Sequence, residues 1–153
     1  MNASEERKFP RPGDRLVTLV CPVLNEEQAV APFIERLAAL FEERPDLRFE
    51  VLFVNDGSTD GTIPAIEALI ARHDWISCID LSRNFGKEAA LTAGLDHAKG
   101  DAVIPIDADL QDPPELILDM LRCWESGFEV VLAKRVDRSS DNAVKRLSAR
   151  GFY

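Results

Sequence analysis

The sequence has only three cysteines, Cys21, Cys78 and Cys123, and no long apolar run. Three scattered cysteines are too few for a disulfide framework or a zinc site. Cys21 and Cys78 lie in apolar runs, so we expect buried free thiols. No apolar run approaches the roughly 20 residues that a membrane-spanning helix needs, and no signal-peptide pattern opens the chain. These absences predict a soluble, cytosolic chain.

Basic residues are also scarce, with 18 Lys and Arg against 27 Asp and Glu and a net charge of −9. A general nucleic-acid binder needs the opposite balance, because phosphate backbones attract Lys and Arg. The charge is uneven: residues 134–153 hold six basic and two acidic side chains, a net +4, which leaves −13 for residues 1–133. We therefore expect no nucleic-acid partner and a basic tail on an acidic body.

The chain does contain a regular alternation of apolar strands and amphipathic helices. Strands are predicted over about 16–21, 50–54, 76–81, 102–106 and 129–133, and helices over about 25–43, 60–72, 87–98, 112–126 and 142–150. This alternation predicts an α/β fold, with a mostly parallel sheet and helices on both faces. We expect one such domain over residues 16–153, after a loose lead-in at residues 1–15.

Helix-start signals accompany three of the predicted helices. The expected N-cap residues are Asn25, either Thr59 or Asp60, and Asp112. Pro113 follows the last of these at the first helical position, where proline is favoured.

Two aspartates follow the fourth predicted strand. Asp107 and Asp109 flank Ala108, and in an extended backbone the side chains at i and i+2 point the same way. Two carboxylates this close repel each other unless a cation lies between them. Mg²⁺ and Mn²⁺ bind such oxygens and share them with substrate phosphates. An isolated Asp-x-Asp is more often a solvated turn, but its position after a buried strand favours a metal site.

Polar residues follow every predicted strand. In parallel sheets, ligands bind beyond the carboxyl ends of the strands, so these residues are expected to form one rim. In chain order they are Pro22, Asn25 and Glu26; Asn55 and Asp56; Arg83, Asn84 and Lys87; Asp107 and Asp109; and Lys134 and Arg135. Acidic metal ligands beside cationic groups suit a metal-bound diphosphate.

Two other patterns compete for these residues. Asp56 to Glu67 nearly spells an EF-hand calcium loop, but a strand pattern precedes it where an EF-hand needs a helix, and Pro64 falls inside it. The alternative function is a receiver-like phosphoacceptor signalling domain, whose acidic pocket, phosphoacceptor and lysine would be Glu26, Glu27, Asp80 and Lys134. It is disfavoured because Asp80 is not clearly at a strand end and because Asp107 stands where a hydroxyl is expected.

The sequence contains four spaced motifs, PVLNEE at 22–27, VNDGSTD at 54–60, SRNFGKE at 82–88 and DADLQDPPE at 107–115. Together they resemble the family 2 inverting glycosyltransferases with the GT-A nucleotide-sugar fold. The third is similar to the polyprenyl-phosphate sugar transferases of bacteria, relatives of dolichyl-phosphate mannose synthase. The resemblance covers about residues 16–153, and Asn55 stands where many of these relatives have a second Asp.

The resemblance implies transfer of a hexose, from a nucleotide diphosphate sugar such as UDP-glucose, to a polyprenyl phosphate. It implies a divalent cation, Mg²⁺ or Mn²⁺, and a place at the cytoplasmic face of the membrane in the synthesis of a cell-envelope glycan. Relatives continue with acceptor-side structure and membrane helices. We therefore expect an N-terminal catalytic fragment that needs the missing part for activity and meets the membrane through its basic tail and that part. The sugar, the nucleotide and a homo-oligomeric state stay open.

The same resemblance implies roles for individual residues. Pro22, Leu24, Glu26, Val54 and Asp56 would bind the base and ribose; Asp107 and Ala108 the ribose and diphosphate; Asp109 and Gln111 the metal; and Arg135 the diphosphate or the acceptor phosphate. Asn25, Arg83 and Lys87 complete the predicted nucleotide-sugar rim, and Asp107, Asp109 and Arg135 are the predicted catalytic residues.

Overall fold

The computed structural model describes residues 13–133 and the short strand Ser148–Ala149. The chain divides into two compact units, with the division between Asp109 and Leu110. The elements of the first are β1 (Leu16–Val23), α1 (Val30–Phe41), β2 (Arg48–Asn55), α2 (Thr62–Ile70), β3 (Ile76–Asp80), α3 (Lys87–His97) and β4 (Ala102–Pro105). Those of the second are α4 (Leu116–Glu125), β5 (Val131–Leu132) and β6 (Ser148–Ala149).

A four-stranded parallel sheet forms the centre of the first unit, in the order β3-β2-β1-β4. Val17 of β1 is paired with Phe49 of β2 on one side and with Ala102 of β4 on the other. Because both faces of such a sheet are covered, β1 is apolar except for Thr18, and β2 is apolar over its buried part, Val51–Val54. The parallel α/β prediction is confirmed.

Helices cover both faces of this sheet. Successive side chains of a strand point to opposite faces, so Phe53 and Val54 of β2 lie on different sides. The ring of Phe53 contacts that of Phe33 in α1, with centroids 6.2 Å apart. Val54 instead belongs to a buried cluster with Val20 and with Ala90 of α3. The helices α1 and α3 therefore lie on opposite faces, as the alternation predicts.

Helix α3 approaches the sheet closely at Gly94. A Cβ atom on Gly94 would lie 2.3 Å from Cγ1 of Val20 and 3.0 Å from Cγ2 of Val54. Only a residue without a side chain fits at this distance, because the strand atoms below are fully buried. Gly94 thus fixes the distance of α3 from the sheet, and with it the place of Lys87 at the helix start.

The predicted cap of α1 is wrong, and the N-cap residue of α2 is Gly61, although the predicted Asp60 does bond the start of that helix. Helix α1 begins at Val30, and its N-cap residue Ala29 makes no side-chain cap bond. Asn25 lies further upstream with a φ of 54° and hydrogen-bonds elsewhere. At α2, the Asp60 carboxylate accepts the backbone N–H of Thr62 at 2.9 Å.

Helix α4 begins at Leu116, three residues later than predicted, so Asp112 does not cap it. The N–H of Leu116 donates to the carbonyl of Pro113 at 3.0 Å, an i→i−3 bond of a tighter turn. Pro114 explains the delay, because a residue before proline is disfavoured in the α conformation and Pro113 occupies that position.

The end of the chain differs from the prediction. The strand β5 pairs antiparallel with β6 in a separate two-stranded sheet and does not join the parallel one. The predicted helix over 142–150 is wrong at residues 148–149, since strand pairing with a distant segment overrides local periodicity. Lys134, Arg135 and the rest of the predicted tail helix lie outside the described residues.

The three cysteines are free, as expected. Burial is the main cause that raises the pKa of the Cys21 thiol well above its ordinary value and that of Cys78 to about 11. Both thiols therefore stay protonated and unreactive at neutral pH. In the part of the chain that the structure describes, no helix has the length and apolarity to cross a bilayer.

Candidate functional site

The parallel sheet has a switch point beside β1. β2 and β3 lie on one side of β1, whereas β4 lies on the other. In open α/β sheets, such a reversal of strand order opens a crevice at the carboxyl ends of the strands, where ligands bind. The segments that follow β1 and β4 carry Glu26, Asp107 and Asp109, three of the predicted rim carboxylates.

Lys87, the first residue of α3, contacts Asp107. Its Nζ lies 2.8 Å from both carboxylate oxygens. The hydrogen bond to Asp107 is the main cause that raises the pKa of Lys87, and the charge of Asp109 acts in the same direction. Both side chains are well exposed, 66% for Lys87 and 48% for Asp107. Solvent therefore screens the pair, and the ammonium can exchange Asp107 for an incoming anion.

Glu26 shares the electrostatic environment of the two aspartates. Its pKa is raised first by partial burial, which penalises the charged form, and then by the charges of Asp109 and Asp107. Its backbone is held in place, because the N–H of Glu26 donates to the buried hydroxyl of Thr62 at 2.9 Å. Negative charge thus accumulates where β1 and β4 end.

Contrary to the prediction, Asp107 and Asp109 do not project together from the end of an extended strand. β4 ends at Pro105, residues 108–109 form a turn, and Leu110 follows with a φ of 57°. The turn buries the Ala108 side chain. The carboxylates still act on the same groups, since both raise the pKa of Glu26.

The carboxylates of Asp107 and Asp109 are suited to a cation that is coordinated partly by the protein and partly by a bound ligand. Among the described residues, no group of three or more His, Cys, Asp or Glu side chains is arranged to hold a metal ion. Mg²⁺ rarely needs such a cage, because it usually takes one or two carboxylates and completes its shell with water and substrate phosphates. A cation here would also offset the charges of Asp109 and Asp107, which, after burial, raise the pKa of Glu26. The residues present therefore fit a divalent ion shared with a phosphate ligand.

The loops after β1 and β2 are interlocked. The N–H of Asn25 donates to Oγ of Ser58 at 2.9 Å, and its Oδ1 accepts the backbone N–H of Thr59 at 2.8 Å. The carboxylate of Glu27 accepts the backbone N–H of Gly61 at 3.1 Å. Asn25 thus ties the rim together, and a ligand would compete with Thr59 for its side-chain oxygen.

Asp56 is buried at the end of β2, with 3% of its surface exposed. Its Oδ1 accepts the backbone N–H of Phe85 at 2.7 Å, and its Oδ2 accepts that of Gly86 at 3.0 Å. Gly57 has a φ of 72°, and a Cβ there would lie 2.5 Å from the backbone nitrogen of Asn84. The sequence pattern predicted Asp56 at the rim but missed that it holds the loop between β3 and α3.

Asn55, which stands where many relatives have a second Asp, has a structural partner. Its Nδ2 donates to Oδ1 of Asp80 at 2.7 Å, and its Oδ1 accepts the N–H of Ser58 at 3.2 Å. A second aspartate at this position would place two carboxylates against each other. The amide therefore suits the neighbouring Asp80.

The remaining predicted contacts differ in access. Leu24 is 40% exposed and Pro22 is half-buried, so both side chains can meet a ligand. The side chain of Val54 is fully buried under α3, and any contact from Val54 would have to come through its backbone. The guanidinium of Arg83 lies over the ring of Phe85, 4.7 Å from its centre, at the solvent side of the rim.

Two predicted residues lie beyond this geometry. Gln111 belongs to the second unit. Arg135 lies outside the described residues. A metal role for the first and a phosphate role for the second stay predictions.

The arrangement of the strands excludes both competing patterns. Asp80 is the last residue of β3, so the expectation that it falls short of a strand end was wrong. However, β3 is an edge strand here, whereas a receiver domain has the order 2-1-3-4-5 with its third strand inside the sheet. The EF-hand pattern fails because a strand, β2, leads into Asp56 where a helix is required.

Comparison with known proteins decides the family. The sequence profile of glycosyl transferase family 2 matches residues 18–152, most of the chain. The chain belongs to this family. A prophage bactoprenol glucosyl transferase homolog of Escherichia coli K12 is 49% identical over 137 residues, which are 90% of this chain and 44% of that protein. This family 2 chain thus spans less than half the length of that relative.

Solved structures agree with the family. The mannosyltransferase PcManGT of Pyrobaculum calidifontis, in complex with GDP-Man and Mn²⁺, is 30% identical with a TM-score of 0.52, over 69% of this chain and 34% of that one. Glucosyl-3-phosphoglycerate synthase of Mycobacterium tuberculosis, with Mn²⁺, UDP and glucosyl-3-phosphoglycerate, is 26% identical with a TM-score of 0.57, over 76% and 41%. The fold is therefore the predicted GT-A fold.

Proposed function

We propose that this chain is the donor-binding part of an inverting glycosyltransferase that moves a hexose from a nucleotide diphosphate sugar to a polyprenyl phosphate. The observation that carries the proposal is the contact of Lys87 with Asp107, beside Asp109 and Glu26, at the switch point of the sheet. An ammonium and carboxylates side by side suit a diphosphate and its divalent ion. The name of the bactoprenol glucosyl transferase relative supports glucose and a lipid phosphate, and the UDP in the M. tuberculosis structure supports uridine.

The donor would lie over the ends of β1 and β4. Pro22 and Leu24 would flank the base, and Asp107 would turn from Lys87 to the ribose. The Lys87 ammonium would then contact the diphosphate, next to the small Ala108. In this exchange the Lys87 ammonium stays paired with an anion, and the Asp107 carboxylate accepts hydrogen bonds from the ribose hydroxyls.

A divalent ion, Mg²⁺ or Mn²⁺, would be held by Asp109 with Gln111 and would supply positive charge to the departing diphosphate. Lys87 adds a second positive charge to the same leaving group, which is where negative charge develops in the transition state. Arg135 is proposed to contact the diphosphate or the acceptor phosphate.

The reaction needs no general base from this chain. A phosphate monoester has a second pKa of about 6, so the acceptor is largely a dianion at neutral pH. Its oxygen attacks the anomeric carbon opposite the diphosphate, the bond to the diphosphate oxygen breaks, and the electron pair leaves with it. The configuration is thereby inverted, and Asp107 and Asp109 serve binding, not proton transfer.

Isothermal titration of the 153-residue chain tests this function. We expect UDP-glucose and UDP to bind at least about tenfold more tightly with Mn²⁺ than with EDTA, and GDP-mannose to bind more weakly than UDP-glucose. Absence of binding by every nucleotide would contradict the proposal. Phosphorylation by acetyl phosphate in that case would favour the receiver alternative.

The basic tail is proposed to meet the cytoplasmic face of the membrane, where the lipid acceptor lies. Residues 142–153 interleave Lys145, Arg146 and Arg150 with apolar side chains. Each cation near an anionic surface contributes about 1 kcal/mol. We expect weak, salt-sensitive sedimentation with anionic liposomes, none with neutral ones, and loss of binding when residues 142–153 are deleted. Binding that survives the deletion, or no binding at low salt, would rule the tail out as the contact.

A further inference from the structure

We infer that Asn25 is a positioning residue, which fixes the loop after β1 in the conformation that presents Leu24 to the base of the nucleotide. The β1 loop is residues 24–29, between β1 and α1, and the β2 loop is residues 56–61, between β2 and α2. This role rests on the proposed function, because that function places Leu24 beside the base. It goes beyond that function, because Asn25 needs no contact with the ligand to perform it.

Asn25 has a backbone conformation that few residues adopt. Its φ is 54°, in the left-handed region where the Cβ of most residues is crowded and where Asn is tolerated better than others. This φ turns the chain between Leu24, which is 40% exposed, and Glu26. A residue that prefers a negative φ would therefore change the direction in which the Leu24 side chain points.

The backbone and the side chain of Asn25 both bond to the β2 loop. Its N–H donates to Oγ of Ser58 at 2.9 Å, and its Oδ1 accepts the N–H of Thr59 at 2.8 Å. Because these partners are 33 and 34 positions along the chain, the bonds fix the two loops against each other and not only the local turn. Asn25 thus joins the loops that carry Leu24 and Asp56, two of the predicted contacts to the base and ribose.

The chain is fixed on both sides of this turn. Before it, β1 is held up to Val23, which is paired with Asn55 of β2. After it, the N–H of Glu26 donates to a buried hydroxyl at 2.9 Å. Leu24 and Asn25 are therefore the residues that move if the bonds of Asn25 are lost. Affinity then falls by the fraction of molecules that still hold Leu24 in place, because only those are competent to bind.

Two ligands separate the base from the diphosphate. Mn²⁺–UDP carries a base that Leu24 would flank. Mn²⁺–pyrophosphate offers the phosphates and the cation but neither base nor ribose. Its proposed contacts, Lys87 and Asp109, lie at the start of α3 and after β4, outside both loops. If Asn25 positions Leu24, substitution of Asn25 weakens the binding of Mn²⁺–UDP and leaves that of Mn²⁺–pyrophosphate unchanged.

The experiment titrates both ligands into the whole chain and its Asn25→Ala and Asn25→Gly variants. Both variants lose the side-chain bond to Thr59, but glycine adopts a positive φ readily and alanine does not. We expect the Kd of Mn²⁺–UDP to rise about tenfold in Asn25→Ala and only about threefold in Asn25→Gly. A side chain that touched the ligand would be missing from both variants, so the two losses would then be equal.

The matched control is Gln28→Ala. Gln28 is another exposed amide of the β1 loop, three residues after Asn25. This variant should bind Mn²⁺–UDP and Mn²⁺–pyrophosphate with the Kd values of the wild type.

Two further variants complete the test. Leu24→Ala should itself weaken Mn²⁺–UDP, and Asn25→Ala should add little in that background, because residues that act through one another are not additive. Ser58→Ala removes the acceptor of the Asn25 N–H, so it should weaken Mn²⁺–UDP and spare Mn²⁺–pyrophosphate. It carries the test if far-UV circular dichroism shows that Asn25→Ala does not fold.

The outcomes are distinct. Four results would each overturn the inference and leave the proposed function standing. They are wild-type affinity of Asn25→Ala for Mn²⁺–UDP, equal losses in the alanine and glycine variants, an equal loss of pyrophosphate affinity, and effects that add to those of Leu24→Ala. A wild-type chain that binds neither ligand would overturn the proposed function and the inference with it.

Discussion

Asp109→Asn should weaken the Mn²⁺-dependent binding of UDP by at least about tenfold, or about 1.4 kcal/mol. The substitution replaces a charged oxygen ligand with a neutral amide next to Asp107, and hard divalent ions strongly prefer carboxylates. The measurement is a calorimetric titration with UDP in Mn²⁺ and again in EDTA. The loss should appear only in Mn²⁺, because the variant keeps Lys87 and the base contacts.

A matched control for this prediction is Asp74→Asn. Asp74 is exposed in the turn before β3, at the other end of the strands from the rim. The Asp74→Asn variant has the same change of net charge as Asp109→Asn but lies away from the rim. It should therefore bind UDP as tightly as the wild type. Equal affinity of Asp109→Asn and wild type in Mn²⁺ would remove Asp109 from the cation site.

Gly94→Ala should lower the free energy of unfolding by about 2 kcal/mol, even though alanine is the better helix former. The new Cβ would lie 2.3 Å from a methyl group of Val20, which is fully buried and cannot move aside. Urea denaturation followed by circular dichroism measures the change as a lower midpoint at unchanged slope. The control is Asp96→Ala, at an exposed position of α3 two residues after Gly94. It should leave the free energy of unfolding unchanged or raise it slightly.

A double variant shows whether the contact with Val20 is the cause. Val20→Ala alone should also destabilise, because it opens a cavity under α3. In Gly94→Ala with Val20→Ala, the new methyl group enters that space, so the combined loss should be smaller than the sum of the two. Strict additivity, or a Gly94→Ala variant as stable as wild type, would contradict the close fit.

The fold and the location of the site were predictable for physical reasons. Strand segments buried on both faces are largely apolar, so Leu16–Val23 and the Val51–Val54 half of β2 stand out from the amphipathic helices. The direction of parallel strands then places the residues after them at one edge. The contact of Lys87 with Asp107, 20 positions along the chain, follows from that topology.

Other features depend on contacts that a local pattern does not contain. The anchoring of Phe85 and Gly86 by Asp56, and the pair of Asn55 with Asp80, join separate strand ends. A window of neighbouring residues shows only that these side chains are polar. The pairing of Val131–Leu132 with residues 148–149 is of the same kind, since strand preference is decided by the partner.

Paramagnetic broadening of the amide NMR signals by Mn²⁺, in the presence of UDP, tests most directly whether the switch point binds a metal–diphosphate. The account predicts that the signals of Glu26, Lys87 and Ala108 broaden and disappear first. Signals at the opposite ends of the strands, such as those of Leu47 and Gly100, should persist, and in Asp109→Asn the broadening should require far more Mn²⁺. Broadening centred elsewhere, or at the rim but equally strong in Asp109→Asn, would contradict it.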